Sequence, residues 1–313
     1  MPAAWWLVGL RDRVARAREG DLWFHFTRSP VTVVAAAVTL LFLMLAAAAP
    51  LLAPQNPFDA AALNIGDSRL PPAWIEGGQV RYPLGTDSQG RDVLSTIIYG
   101  SRISLGVSFA ATLFAMLLGV SLGLVSGYAG GRIDNVIMRL ADVQLSFPTI
   151  LIALLIDGIA RNAMPRDMHQ ELAIPILVLA IGMASWVQYA RTVRGSTLVE
   201  KNKEYVQAAR LIGQPTAHIL FRHILPNVMG PVLVIATLGL GLAILTEATL
   251  SFLGLGVPAT QPSLGTLIRI GNEVLFSGEW WMTIFPGVWL VALVLAVNLL
   301  GDWLRDALNP KLR

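Results

Sequence analysis

Six stretches of this chain are each long and apolar enough to cross a bilayer, and nothing else constrains its fold as strongly. A hydrocarbon core of about 30 Å needs about 20 apolar residues in a helix. The stretches are 30–53, 103–127, 137–156, 172–190, 228–253 and 283–301. Only 14% of the residues are charged and mean hydropathy is +0.62, whereas soluble domains carry about 25% charged residues. A soluble core could not absorb such runs, so the solvent is lipid. The expectation is an all-α integral membrane fold with six transmembrane helices. The third and fourth stretches are the weakest: one holds Asp142 and Pro148, the other Pro175 and Gln188. Both prolines are expected to bend their helices, because proline removes a backbone donor.

The first stretch follows a charged leader, 1–29, and runs far beyond the about 7–15 residues of a signal-peptide core. It is read as a retained helix. Basic residues set the orientation, since they concentrate on the cytoplasmic side. With the N-terminus inside, inner segments hold sixteen Lys and Arg and outer segments seven. Both termini are therefore expected in the cytoplasm. Trp23, Trp280, Trp281 and Trp303 fall near span ends, where amphipathic rings sit well; Trp6 is less easily placed. The chain divides into a cytoplasmic segment 1–29, a first helix 30–53, an outer loop 54–102, a five-helix core 103–301 and a cytoplasmic tail 302–313. The net charge of +3 is spread between apolar spans, which argues for no nucleic-acid partner.

Chemistry is sparse. There are no cysteines, which excludes disulfides and thiolate catalysis. His25, His169, His218 and His223 all lie outside the spans, and no His-Glu-x-x-His occurs. An intramembrane hydrolase would need a nucleophile and base, or metal ligands, within the spans. No phosphate-binding Gly-x-x-x-x-Gly-Lys-Ser/Thr exists either, so any ATP is handled elsewhere. The chain is read as non-catalytic, without a cofactor or metal of its own.

Two connections exceed the short links usual in helix bundles. The inner one, 191–227, is basic and partly helical. Thr197 and Glu200 have capping-box spacing, so a helix is expected to start there. Gly213 followed by Pro215 is a stop signal. Between them Tyr205, Ala208, Ala209 and Ile212 fall at helical spacing and define a small, mostly apolar face. Such a helix either lies in the groove of a partner or rests on the membrane surface. In the outer loop, Asp87, Gly90, Arg91 and Asp92 suit a Gly-punctuated turn with local hydrogen bonds; Asp87 and Asp92 are too ordinary for a metal site.

Within the spans, Asp142 and Glu247 each need a partner or a purpose, because a charge in lipid is costly. They either fix helix packing or face a path or sister subunit. Asp302, Arg305 and Asp306 are expected to form a local salt-bridge cluster at the inner interface. Gly119, Gly123 and Gly127 stack on one helix face and suit a close packing seam.

The segment Glu204-Tyr-Val-Gln-Ala208-Ala209-Arg210-Leu-Ile-Gly213, with His223-Ile-Leu-Pro-Asn227 downstream, resembles the EAA loop of bacterial ABC importer permeases. Three more segments are similar to the dipeptide and oligopeptide permease "C" subunits: Tyr82 to Leu94 with Tyr99 to Leu105, Glu247 to Pro258, and Gly301 to Arg313. The acidic residue stands four before Ala208 rather than beside the alanine pair, as it does in the peptide branch. The resemblance implies a type I importer permease in the bacterial inner membrane, moving peptides or related small solutes by alternating access. It implies that Glu204, Tyr205, Ala208, Ala209, Arg210 and Gly213 dock on a cytoplasmic ATPase. The partners would be a sister permease, two ATPases using ATP and magnesium, and an extracytoplasmic binding protein touching Asp87, Gly90, Arg91 and Asp92. Ala209→Asp or Gly213→Glu is then expected to uncouple transport without unfolding the subunit. The rival reading is a secondary transporter or channel not powered by ATP.

Overall fold

The computed structural model describes residues 26–59, 63–165, 168–258 and 260–308. Most of the leader, with Trp6, Trp23 and His25, and the end of the tail lie outside the described residues.

Helix α1 spans Pro30–Ala47. Ser29 caps it by accepting the Thr32 N–H, and Pro30 sits in the first turn, where its missing donor costs nothing. Eighteen residues at 1.5 Å rise reach about 27 Å, close to the hydrocarbon thickness. One face meets the last helix, with Phe42 edge-on to Trp289 at 4.9 Å; Val34, Leu40 and Leu41 remain exposed for lipid.

Helix α2 spans Val93–Ala129, 37 residues and about 55 Å. It begins at Val93 rather than at 103, so the outer loop is shorter than the hydropathy suggested. Asp92 explains the early start: its carboxylate accepts the Ser95 N–H at 2.8 Å and the Ser95 hydroxyl at 2.6 Å. The helix ends at Gly130 and Gly131, both at positive φ.

The third stretch is not one straight helix. α3, Gly131–Leu145, and α4, Thr149–Asn162, meet at a 99° bend over Ser146, Phe147 and Pro148. Proline disfavours a helical residue before it and offers no donor, so the expected bend is sharper than a kink. Pro175 behaves differently. It lies in the first turn of α5, Ala173–Glu200, where the N–H would be unpaired anyway. The expectation of a bend there is overturned.

α5 also runs past the expected loop boundary to Glu200. Thr197 is therefore fully buried inside a helix and caps nothing. The three glycines of α2 explain why α5 packs so tightly on it. A Cβ at Gly119 would lie 2.5 Å from the Trp186 carbonyl oxygen, at Gly123 2.5 Å from that of Ala190, and at Gly127 2.7 Å from the Thr197 Cβ. The small-residue seam is real.

A short helix α6, Glu204–Leu211, follows. The chain then re-enters a helix at Thr216, passes a π-turn at Ile219–Ile224 and continues as α7, Leu225–Phe252. The π-turn precedes Pro226; the Leu225 N–H bonds five residues back to Leu220, which rearranges the backbone where proline cannot donate. An amphipathic helix absent from the sequence reading, α8, Leu264–Val274, is capped by Ser263 and buries Leu264, Thr266 and Leu267. Glycines 265 and 271 let it press onto Ala248 and Met282. Finally α9, Trp281–Leu308, packs on α1, α7 and α8.

Among the described residues, five helices are long and apolar enough to span a membrane, or six when the bent pair counts as one span. With six, 201–215 lies on one side and the 54–92 and 253–280 connections on the other.

Candidate functional site

The inner connection is reduced to 201–215, and the residues around it show how it is held. Glu200, at the end of α5, takes an ion pair from Lys203 at 2.8 Å and a hydrogen bond from the Tyr205 hydroxyl at 2.6 Å. The Asn227 amide at the start of α7 donates to the same hydroxyl at 3.1 Å. Tyr205 thus ties three helices together. Partial burial, and then the Glu200 carboxylate, push its phenol up to about 12. Lys201 donates to the Gly127 carbonyl at 2.7 Å, closing the end of α2. The Arg210 guanidinium lies 4.9 Å over the Tyr128 ring.

The helix ends as the sequence indicates. Gly213 has φ +76, its N–H bonds the Arg210 carbonyl, and the Gln214 N–H bonds that of Ala209. This is a Schellman cap, and Pro215 follows it.

The apolar face does not divide as spacing suggested. Val206 and Ala209 point inward, into a cluster with Tyr189, Val193, Ile219, Ile224 and Val228. Ala208, Leu211 and Ile212 point outward; Leu211 is 88% and Ile212 74% exposed. Ala209 therefore anchors the helix, and an acid there would strike the fold itself. Glu204 is exposed in the first turn, where a carboxylate suits the positive helix end.

The outer segment is a knot of internal bonds. Asp87 accepts from the Gln89 and Arg91 backbone at 2.8 and 3.0 Å and pairs with the Arg91 guanidinium at 2.6 Å. Gly90, at φ +75, lets the chain pass so close to Asn64 that a Cβ would sit 2.3 Å from its carbonyl oxygen. Asp87, Arg91 and Asp92 are all buried, and burial pushes the Asp92 carboxyl up against the pull of its Ser95 bonds. Trp281 donates its indole N–H to the Thr86 carbonyl at 3.2 Å, fastening the loop to α9. Ser88 and Gln89 are the exposed tips.

Glu247 is fully buried and accepts from Ser251 at 2.7 Å. Asp142 is half-exposed and paired with Arg191. Two further ion pairs hold the helices, and the sequence reading named neither. Asp134 binds Arg194 with a 2.6 Å contact, across a sequence separation no periodicity reveals. Buried Asp157 binds Arg161 at 2.7 Å, and its i,i+4 spacing was a usable signal. Arg161 also donates to the Leu255 and Gly256 carbonyls at 2.9 and 3.1 Å, tying α4 to the end of α7.

With six spans counted, the bundle holds out one capped helix, α6, on the side where the first span begins and the last one ends. Residues 119–313 match the family described as binding-protein-dependent transport system inner membrane component, and 20–72 match the N-terminal transmembrane domain of oligopeptide transport permease C. The chain belongs to this family of inner-membrane permeases. It is 40% identical over 294 residues, 94% of the chain and 95% of the relative, to a dipeptide transport system permease protein of Haemophilus influenzae. It is 39% identical to the dipeptide permease of Escherichia coli K12, over 94% of the chain and 93% of the relative. A glutathione transport permease of Pectobacterium atrosepticum is 38% identical, over 97% of the chain and 95% of the relative. Among solved structures, the inward-facing MetNI methionine ABC transporter matches with TM-score 0.52 and 17% identity, over 68% of this chain and 96% of that one. That likeness supports the fold.

Proposed function

We propose that the chain is one permease subunit of an ATP-driven importer of di- or oligopeptides, and that α6 is where cytoplasmic ATPases take hold of it. The observation that carries the reading is the surface of α6. Leu211 and Ile212 stand out beside the small Ala208 on a rigidly anchored helix, an apolar knob suited to a protein groove. Through Tyr205 and the Val206–Ala209 contacts, a displacement of α6 acts on α5 and α7 together. The relatives named for dipeptide transport support the solute class. A sister permease completes the path, and a binding protein delivers solute at the outer loop. There Asp87, Gly90, Arg91 and Asp92 act by shaping the turn that displays Ser88 and Gln89. ATP and magnesium belong to the partner ATPases; no chemistry is assigned to this chain.

The test uses the assembled complex with Ala208→Asp or Leu211→Asp. Expected is loss of the ATPase subunits on purification and loss of peptide uptake, with the sister permease still bound. Uptake at the unmodified rate in both variants would sink the docking assignment.

A further inference from the structure

A cavity of about 460 Å³ lies beside the bend between α3 and α4, walled by α5 and α7. It is lined by Pro148 and by Ser185, Gln188, Thr246 and Thr249, among apolar neighbours. The two threonines donate to their own helix, to the Leu242 and Leu245 carbonyls at 2.8 Å each. Both hydroxyl oxygens keep the capacity to accept a hydrogen bond. One turn beyond Gln188 on α5 comes Arg191, and one turn before Leu145 on α3 comes Asp142. These two form an ion pair whose side chains are 47% and 55% exposed.

Half-exposed charge on membrane helices has three possible neighbours: lipid, a protein partner, or water in a passage. Lipid is the costliest. A broken helix beside polar side chains is also the arrangement that membranes tolerate where backbone lines a cavity. The lining itself is uncharged, and the Asp142–Arg191 pair stands one turn away from it on α3 and α5. We infer that this face of α5 and α7 lines the solute path, and that Asp142 and Arg191 form a charged station on it for a zwitterionic solute. Gln188 and the hydroxyls can bond amide groups without regard to side chains. Arg191 can take a carboxylate and Asp142 an ammonium, each exchanging its partner for the solute. This rests on the peptide-import reading for the identity of the solute, but not for the position of the path.

The absence of cysteine from the chain permits a direct test in the whole complex, reconstituted with sister permease, ATPases and binding protein. Gln188→Cys and Thr246→Cys are treated with a membrane-impermeant methanethiosulfonate and the label is read on this chain by mass. Val291→Cys, on an exposed apolar stretch of α9, is the apolar reference. Both path cysteines should be labelled in the nucleotide-free or the vanadate-trapped state, and Val291→Cys in neither. Labelling Gln188→Cys should slow uptake of alanyl-alanine by about tenfold or more. Arg191→Gln should slow it by about tenfold, the loss of one charge-assisted hydrogen bond, with stimulation of ATP hydrolysis by loaded binding protein retained and Arg191→Lys restoring part of the rate. Path cysteines no more reactive than Val291→Cys in both states would overturn the inference, as would full-rate uptake by labelled Gln188→Cys and by Arg191→Gln. If the path cysteines label as expected but the complex without substitutions imports no peptide, the peptide reading is refuted and the path stands.

Discussion

Tyr205 and Gly213 fix α6 from its two ends by different physics. Tyr205 works through one hydroxyl shared by Glu200 and Asn227. A phenol raised from 10 to about 12 is held neutral by its surroundings. Its contribution to stability is therefore complete below the ordinary value of 10 and is lost as pH rises through about 12. Phenolate absorbance, differenced against Tyr205→Phe, should show this group ionising near 12 rather than near 10. The same substitution should lower the peptide transported per ATP hydrolysed, because it frees α6 from both neighbouring helices. Gly213 works through its backbone. A side chain at φ +76 costs about 1–2 kcal/mol in the left-handed region. Gly213→Ala should destabilise the loop by about that amount, and Gly213→Asn by less, since asparagine enters this region more readily. Comparative proteolysis of the loop in the assembled complex would rank them.

At the scale of elements, the α2–α5 seam is the contact least able to adapt. Backbone of α5 occupies the space a Cβ would need at Gly119 and Gly123, and backbone cannot swing aside as a side chain can. Gly123→Leu should cost about 3 kcal/mol or more, at the upper end of ordinary overpacking. It should appear as a lowered unfolding temperature in detergent and failure to assemble; a variant as stable as its parent would contradict the geometry. This seam was legible in the sequence because a four-residue glycine repeat has one geometric meaning on a helix. The Gly213–Pro215 stop was legible for the same reason. The ends of α2 and α5 were not. Both helices run on past their apolar stretch, α2 on an Asp92 cap and α5 because Thr197 and Glu200 face protein rather than water. Hydropathy measures where lipid is, not where a helix stops. The sides of α6 were misread because 3.6-residue spacing shows that a face exists but not which face is covered. Val206 and Ala209 go inward only because Ile219, Ile224 and Val228 lie beneath them. α8 was missed because its eleven residues are too short and too mixed to register as a span.

For the whole molecule, the question is what supplies the energy. Nothing in this chain binds a nucleotide by the usual glycine-lysine loop, so energy enters either from a partner or from an ion gradient. The distribution of charge separates these. Coupling to an ion gradient needs carboxylates that can exchange ions with water from inside the membrane. Glu247 is sealed at 0% exposure, bonded to Ser251. Asp157 is equally buried and paired with Arg161. Asp142 alone of these faces open space, already matched by Arg191. What is exposed instead is α6, linked by Tyr205 to α5 and α7, the two helices that wall the cavity beside the bend. A partner that closes on α6 would shift the balance between two arrangements of those helices in proportion to its differential affinity for them. The chain reconstituted alone should therefore accumulate no peptide under an imposed proton or sodium gradient, and the full complex should do so only with ATP. Gradient-driven uptake by the isolated chain would show that Asp142 or Glu247 exchanges ions after all, and would return α6 to the role of a helix resting on the membrane.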